Sequence, residues 1–176
     1  VISLGGAVKS TSLKVAGDKF DEAIIKYIKK NRNVIIGERT AEDVKINIGC
    51  MYPKTTLETM QIKGRDLTSG LPVEIELTSE EMFEALKEPA NLIVEGVHTV
   101  LEETPPELSA DISERGIYIT GGGGLVWGLD KLIEERTGIQ VMIAEDAVSC
   151  VAMGTGKALN HIELLETGNA VKIKKF

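Results

Sequence analysis

No stretch of this 176-residue sequence approaches the roughly 20 consecutive apolar residues that a bilayer-crossing helix needs, so none is expected to span a membrane. Basic residues are in the minority. The 20 Lys and Arg face 27 Asp and Glu, a net charge of −7, which is the reverse of a nucleic-acid-binding footprint. Cysteine is scarce: Cys50 and Cys150 lack metal-ligand spacing and no histidines cluster beside them. Two buried, reduced thiols are expected, rather than a disulfide or a metal site. No basic stretch precedes the short apolar opening of residues 1–8, so no secretory leader is expected. Internal repeats and low-complexity segments are also absent. What remains is 43% apolar and 27% charged residues, the balance of a soluble globular protein of one domain's length, or one domain with a lobe. The first residue is Val, and Val1-Ile2-Ser3-Leu4 reads as a strand already under way. The chain is therefore expected to be a fragment of something longer.

The stretch that organises the rest is Thr120-Gly121-Gly122-Gly123-Gly124. The apolar run Gly116-Ile117-Tyr118-Ile119 enters it as a strand, and a helix from Leu125 to Glu135 is expected to leave it. Consecutive glycines remove every Cβ from this corner and allow a flat or anionic ligand to approach the backbone. A helix N-terminus behind it would add free N–H groups. The corner reads either as a nucleotide-sized cradle or as a flexible connector. It fits a dinucleotide fingerprint poorly, because no acidic residue about 20 positions on closes a second strand.

Along the chain, Val1–Leu4 and Lys9–Ala16 read as two strands joined at Gly5-Gly6. Gly17-Asp18 reads as a stop and a helix cap. Phe20, Ala23, Ile24, Tyr27 and Ile28 then form one helical stripe, with Lys26, Lys29, Lys30 and Arg32 on a solvated face or near the helix end. Val34-Ile35-Ile36-Gly37 breaks that pattern. A short helix is expected over residues 40–49, with Thr40 and Asp43 as a capping box and Gly49 as terminator. Within it Glu42 and Lys45 share a face. They read as a surface ion pair, or as a carboxylate and an ammonium able to clasp a ribose and the edge of a base.

Met60 and Ile62, then Val73, Ile75 and Leu77, alternate with polar residues, which predicts two half-buried strands joined by a polar hairpin. Thr78 and Glu81 form a capping box for a helix through Lys87, and Pro89 is expected to restart a second helix. That second helix carries the stripe Leu92, Ile93, Val97, Val100 and Leu101, with His98 beside it, and ends at Thr104-Pro105-Pro106. Val141–Ala144 reads as a short buried strand, and Glu145-Asp146 as caps for a last helix rich in small residues from Ala147 to Ala158. That helix reads as packing against a missing partner or tightly within this chain. The tail, Val171 to Phe176, is mixed basic and apolar. Outer strands and helices alternate, so the expectation is an α/β core of residues 1–16 and 88–176 with an inserted α+β lobe over 17–87.

These residues resemble the C-terminal half of the MreB/Mbl family of bacterial actin homologues, over essentially the whole chain. The carrying stretches begin with Val1-Ile2-Ser3-Leu4-Gly5-Gly6, Ala16-Gly17-Asp18-Lys19-Phe20-Asp21 and Ile36-Gly37-Glu38-Arg39-Thr40-Ala41-Glu42. They continue through Thr120-Gly121-Gly122-Gly123, Ala144-Glu145-Asp146, Cys150-Val151-Ala152 and Gly154-Thr155-Gly156. The glycine corner is shared with other members of the superfold. The hairpin from Gly64-Arg65-Asp66-Leu67 to Gly70-Leu71-Pro72, and the run Thr104-Pro105-Pro106-Glu107-Leu108-Ser109-Ala110-Asp111, point to this branch.

The resemblance implies a ribonuclease-H-like, actin-like ATPase domain with an inserted α+β subdomain. It implies self-association into filaments at the inner face of the cell membrane, which guide wall synthesis and rod shape together with membrane proteins of the wall machinery. By motif match, Gly121, Gly122 and Gly123 would lie against adenine and ribose, Glu42 and Lys45 would flank the nucleoside, and the small-residue helix would connect domains. ATP or ADP with Mg2+ is the implied cofactor of the full-length protein. Gly124 and Trp127 depart from the family pattern. In this family a phosphate loop precedes the position of Val1, and the water-orienting residue and membrane-inserting loop lie in the other half. No catalytic residue and no metal ligand is assigned to this chain, and weak nucleotide binding without hydrolysis is expected of it. Half of a small-molecule kinase of the same superfold, and an interaction domain that binds no nucleotide, are the competing readings.

Overall fold

A computed structural model describes residues 1–160; the tail reading and the remainder of the expected core through residue 176 lie outside the described residues. The chain opens with a hairpin, β1 (Ile2–Ser3) and β2 (Gly6–Ala7), turned through Leu4 at φ 51° and Gly5 at φ 76°. Positive φ at both central residues is what a two-residue turn needs to match strand twist. The expected strand over Lys9–Ala16 does not form. Ile2 pairs with Ala7 and Ser3 with Gly6. Continued one step, this register leaves Val8 opposite Val1: Val8 N donates to Val1 O at 2.9 Å, and Val1 N donates to Lys9 O at 2.7 Å. A strand exists by pairing; beyond Lys9 the segment pairs with no strand among the described residues and runs as irregular backbone into α1.

The next elements form one packed unit. α1 (Gly17–Arg32) turns through Asn33 at φ 56° into β3 (Val34–Ile35), followed by α2 (Glu38–Ile48), β4 (Thr59–Asp66), β5 (Pro72–Thr78) and α3 (Ser79–Glu102). The strands make an antiparallel sheet in the order β3-β4-β5. Val34 and Ile35 thus add a strand where the sequence shows only a break in pattern. Phe20, Ile24 and Ile28 of α1 meet Val44 and Ile48 of α2, Leu77 of β5, and Met82, Leu86 and Val94 of α3, all buried. Each such side chain contributes about 1.5–3 kcal/mol by leaving water.

Helix starts differ from expectation in instructive ways. α1 begins at Gly17 with Ala16 as its cap, which puts Asp18 inside the first turn. α2 begins at Glu38 behind Gly37, so Thr40 lies inside the helix and its capping box with Asp43 does not form. The box at Thr78 and Glu81 does form, with each side chain bonded to the other's backbone N–H. Pro89 does not restart the chain. It sits buried inside the continuous helix α3, and its missing N–H leaves one turn without its bond. The stripe Met82, Ala85, Leu86, Ala90 and Val94 runs unbroken past it and holds both halves on one core.

α4 (Pro106–Arg115) starts at a proline in the first helical position and adds a helix that the sequence pattern does not predict. β6 (Ile117–Ile119), α5 (Leu129–Thr137) and β7 (Val141–Ile143) form a β-α-β unit, with β6 and β7 parallel in register Ile117 to Val141. α6 (Cys150–Leu159) follows. Glu145 and Asp146 do not cap it through their side chains. The Asp146 carbonyl accepts from Ser149 N, Cys150 N and Cys150 Sγ instead. Gly154 and Gly156 of α6 have nothing within 4 Å, and the tight packing considered for the small residues is not found among the described residues. A groove of about 930 Å3 separates the first hairpin from β6, floored by Ile93, Val97 and Val100 of α3 and Leu108 and Ile112 of α4.

Candidate functional site

The glycine corner lies at the carboxyl end of β6, beside the carboxyl end of β7. Ala144 N donates to Ile119 O at 3.0 Å, and Gly121 N donates to Ala147 O at 2.7 Å, so the two strand exits are stitched together. The carboxyl ends of parallel strands are where α/β sheets take ligands.

The four glycines have different reasons to be glycine. Gly121 has φ 88° and ψ 157°, a region open essentially to glycine alone. Gly124 is buried against Ile119, and a Cβ there would overlap Ile119 Cγ2. Gly123 faces α1: its Cβ position lies 3.6 Å from the Phe20 ring and 4.0 Å from Gly17 N. Gly122 has neither a positive φ nor any atom within 4 Å of its Cβ position. Nothing inside the described chain requires glycine at 122, whereas a flat group lying on the backbone would.

The expected helix from Leu125 is corrected. Gly122–Leu125 form a 3-10 turn and α5 starts only at Leu129. The reason is tertiary. Trp127 forms a single parallel bridge with Cys50, and Met51 N donates to Trp127 O at 2.8 Å. Gly128 then turns at φ 84° with the Tyr52 backbone too close for any side chain. The free N–H groups at the corner come from the 3-10 turn: those of Gly122 and Gly123 donate to no acceptor among the described residues. Trp127 is 36% exposed and has two cations over its ring, Lys131 Nζ at 4.3 Å and Lys54 Nζ at 5.1 Å from the ring centre.

Glu42 and Lys45 do not pair with each other. Glu42 is exposed and makes no ion pair among the described residues. Lys45 is 10% exposed and reaches back to α1, where Nζ meets Asp21 Oδ2 at 2.9 Å and donates to Gly17 O at 3.5 Å. Gly17 N also lies beside Gly123, so the Lys45 ammonium and the glycine corner share Gly17, in the first turn of α1, as a neighbour. Gly17, Phe20 and Asp21 are the site residues that sequence reading missed. It treated Gly17-Asp18 as punctuation, and no local spacing signals a pair 24 residues apart. Asp21 Oδ1 is buried without a hydrogen-bond partner among the described residues.

Cys50 is buried, and its thiol donates to Ser79 O at 3.0 Å; burial pushes its pKa up. Cys150 is free and only half-buried, a correction to the expectation of two buried thiols. No described helix is long and apolar enough to cross a membrane.

A model of the MreB/Mbl protein family matches residues 1–167 of the chain. The chain belongs to the MreB/Mbl family. It is 51% identical to the cell shape-determining protein Mbl of Bacillus cereus over 165 residues, 94% of this chain and 50% of that protein. It is 50% identical to the cell shape-determining protein MreB of Escherichia coli over 164 residues, 93% of this chain and 47% of that one. Among solved structures it is similar to MreB5 of Spiroplasma citri bound to ADP, with a TM-score of 0.88 and 41% identity over 94% of this chain and 50% of that one. The α/β fold is thus that of the actin-like ATPases of this family. The chain spans about half the length of the curated relatives it matches.

Proposed function

We propose that this chain is the C-terminal half of a bacterial actin-like, ATP-binding cytoskeletal protein. The whole protein polymerises into membrane-associated filaments that direct cell shape and wall synthesis, with membrane contact through the other half. In this reading residues 17–87 are the lobe inserted into the core, and the small-residue helix α6 links the two halves.

The nucleoside lies on Gly121, Gly122 and Gly123, with Glu42 and Lys45 at its flank. Gly122 carries this reading: it is an exposed glycine at a strand exit, and nothing among the described residues requires it to lack a side chain. The free N–H groups of Gly122 and Gly123 suit a polar, flat ligand, and the Lys45 ammonium beside Gly17 suits the ligand's acceptor atoms. The solved MreB5 relative is bound to ADP, which supports the same ligand class. ATP and ADP with Mg2+ are the ligands of the whole protein. This chain's part is to hold and orient the nucleoside. Phosphoryl transfer depends on positioned backbone and metal charge at the phosphates, and we assign no group of this chain to that task.

The test is a titration of this chain with adenosine and with ADP, side by side. Equal, weak affinities are expected, because the base and ribose are read here and the phosphates are not. ADP binding far tighter than adenosine overturns that division of labour. No response to either ligand overturns nucleoside binding and favours an interaction domain.

A further inference from the structure

We propose that Asp21 is a positioning residue for the bound nucleoside, acting through Lys45; this rests on the nucleoside reading of the corner. Three observations lead there. First, the pair is enclosed. Lys45 and Asp21 are 10% and 14% exposed, with Nζ and Oδ2 2.9 Å apart, and they join α2 to α1 across 24 residues. A lysine carries a flexible four-carbon stem, so a fixed carboxylate decides where its ammonium stands. Second, among the described residues the ammonium has a donor to spare. Of its three N–H groups one meets Asp21 and one reaches Gly17 O at the long distance of 3.5 Å. The remaining donor is beside the first turn of α1, where Gly17 backs onto Gly123.

Third, the pair is poorly designed as a simple staple. Asp21 Oδ1 is buried and accepts no hydrogen bond among the described residues. Buried polar groups without partners are rare and call for a reason beyond stability. An enclosed ion pair is also weak evidence for stabilisation, since removing two charges from water costs about what their attraction returns. The pair does serve preorganisation: a cation held in one place before the ligand arrives loses less freedom on binding. Asp21 does not touch the ligand in this account. Its effect passes through Nζ.

The test is a double-mutant cycle on adenosine affinity with Asp21→Asn, Lys45→Met and both together, with thermal melting of each. Each single substitution is expected to weaken adenosine by about tenfold, and the double by no more than Lys45→Met alone, because coupled residues are not additive. A merely structural Asp21 would lower the melting point and multiply its penalty onto that of Lys45→Met. That outcome, or unchanged affinity in Asp21→Asn, overturns the inference and leaves nucleoside binding standing. Failure of the unsubstituted chain to bind adenosine overturns both. Should Asp21→Asn not fold, Asp21→Glu displaces the carboxylate by one methylene. It is expected to weaken adenosine at least about threefold, and to have no effect in the Lys45→Met background. Equal effects in both backgrounds overturn the inference.

Discussion

Gly124 packs so closely on Ile119 that the position of its missing Cβ lies only 2.3 Å from Ile119 Cγ2. At Gly122, two residues earlier, an added Cβ would meet nothing within 4 Å. The same residue type therefore serves packing at one position and access at the other, and substitution should separate the two. Gly124→Ala is expected to destabilise the fold by about 1–3 kcal/mol through overpacking. Gly122→Ala is expected to leave stability within about 0.5 kcal/mol, as for a surface change, while weakening adenosine binding severalfold. Denaturant unfolding and the adenosine titration read the two effects. Loss of stability in Gly122→Ala with unchanged affinity would reverse the assignment.

Much of this was legible in the sequence because it is local. The stripe of Phe20, Ile24 and Ile28, the alternation of Met60 and Ile62 with Val73, Ile75 and Leu77, and the Thr78–Glu81 box each depend on neighbours a few positions away. The family resemblance was legible for the same reason: its motifs are contiguous. What failed was set at long range. Lys9–Ala16 alternates but pairs with no strand among the described residues. Leu125 begins an apolar run, yet the bridge between Cys50 and Trp127 keeps the chain out of helix until Leu129. Pro89 looks like a helix start and is carried through by the buried stripe on either side. In the candidate site the glycines were readable, and so was the shared face of Glu42 and Lys45. The pairing of Lys45 with Asp21 was not, because α1 and α2 are brought together only by the core beneath them.

The capping box at the head of α3 gives a clean stability test. Thr78 Oγ1 accepts from Glu81 N at 3.2 Å, and Glu81 Oε2 accepts from Thr78 N at 3.0 Å. Thr78→Ala removes one of these bonds and exposes an orphan N–H, so a loss of about 1 kcal/mol is expected. Glu81 also binds Arg32 Nε at 2.7 Å, joining α3 to the end of α1. Glu81→Ala is therefore expected to cost more than Thr78→Ala. Equal costs in chemical denaturation would mean that the Arg32 contact contributes nothing.

The two thiols should differ in reactivity. Cys50 is 1% exposed, donates to Ser79 O, and has its pKa raised by burial, which disfavours the thiolate that reacts. Cys150 lies half-buried near the start of α6. Under native conditions one equivalent of alkylating reagent is expected to add quickly, at Cys150, and the second only on unfolding. Rapid labelling of Cys50 in the native protein would mean that the segment between α2 and β4 opens readily.

The hairpin between β4 and β5 should carry a pH signature at Asp66. Its Oδ1 accepts from Ser69 N at 2.7 Å, from Ser69 Oγ at 2.9 Å and from Thr68 N at 3.0 Å. The Ser69 backbone bond is the largest of the influences that hold this carboxyl below the usual aspartate range. A group whose pKa is depressed on folding adds stability that is complete above its unfolded value, about 3.9. That stability is lost as pH falls through the folded value. Asp66→Asn keeps an oxygen that can accept the same bonds and removes only the charge. The stability difference between the two proteins is therefore expected to be constant above about pH 5 and to shrink as the solution becomes more acidic. The side chain is solvent-screened, so the difference will be small and reduced further by salt. Unfolding curves for both proteins between neutral and acidic pH decide it. A difference that grows on acidification would mean that the charge at Asp66 strains the turn rather than supporting it.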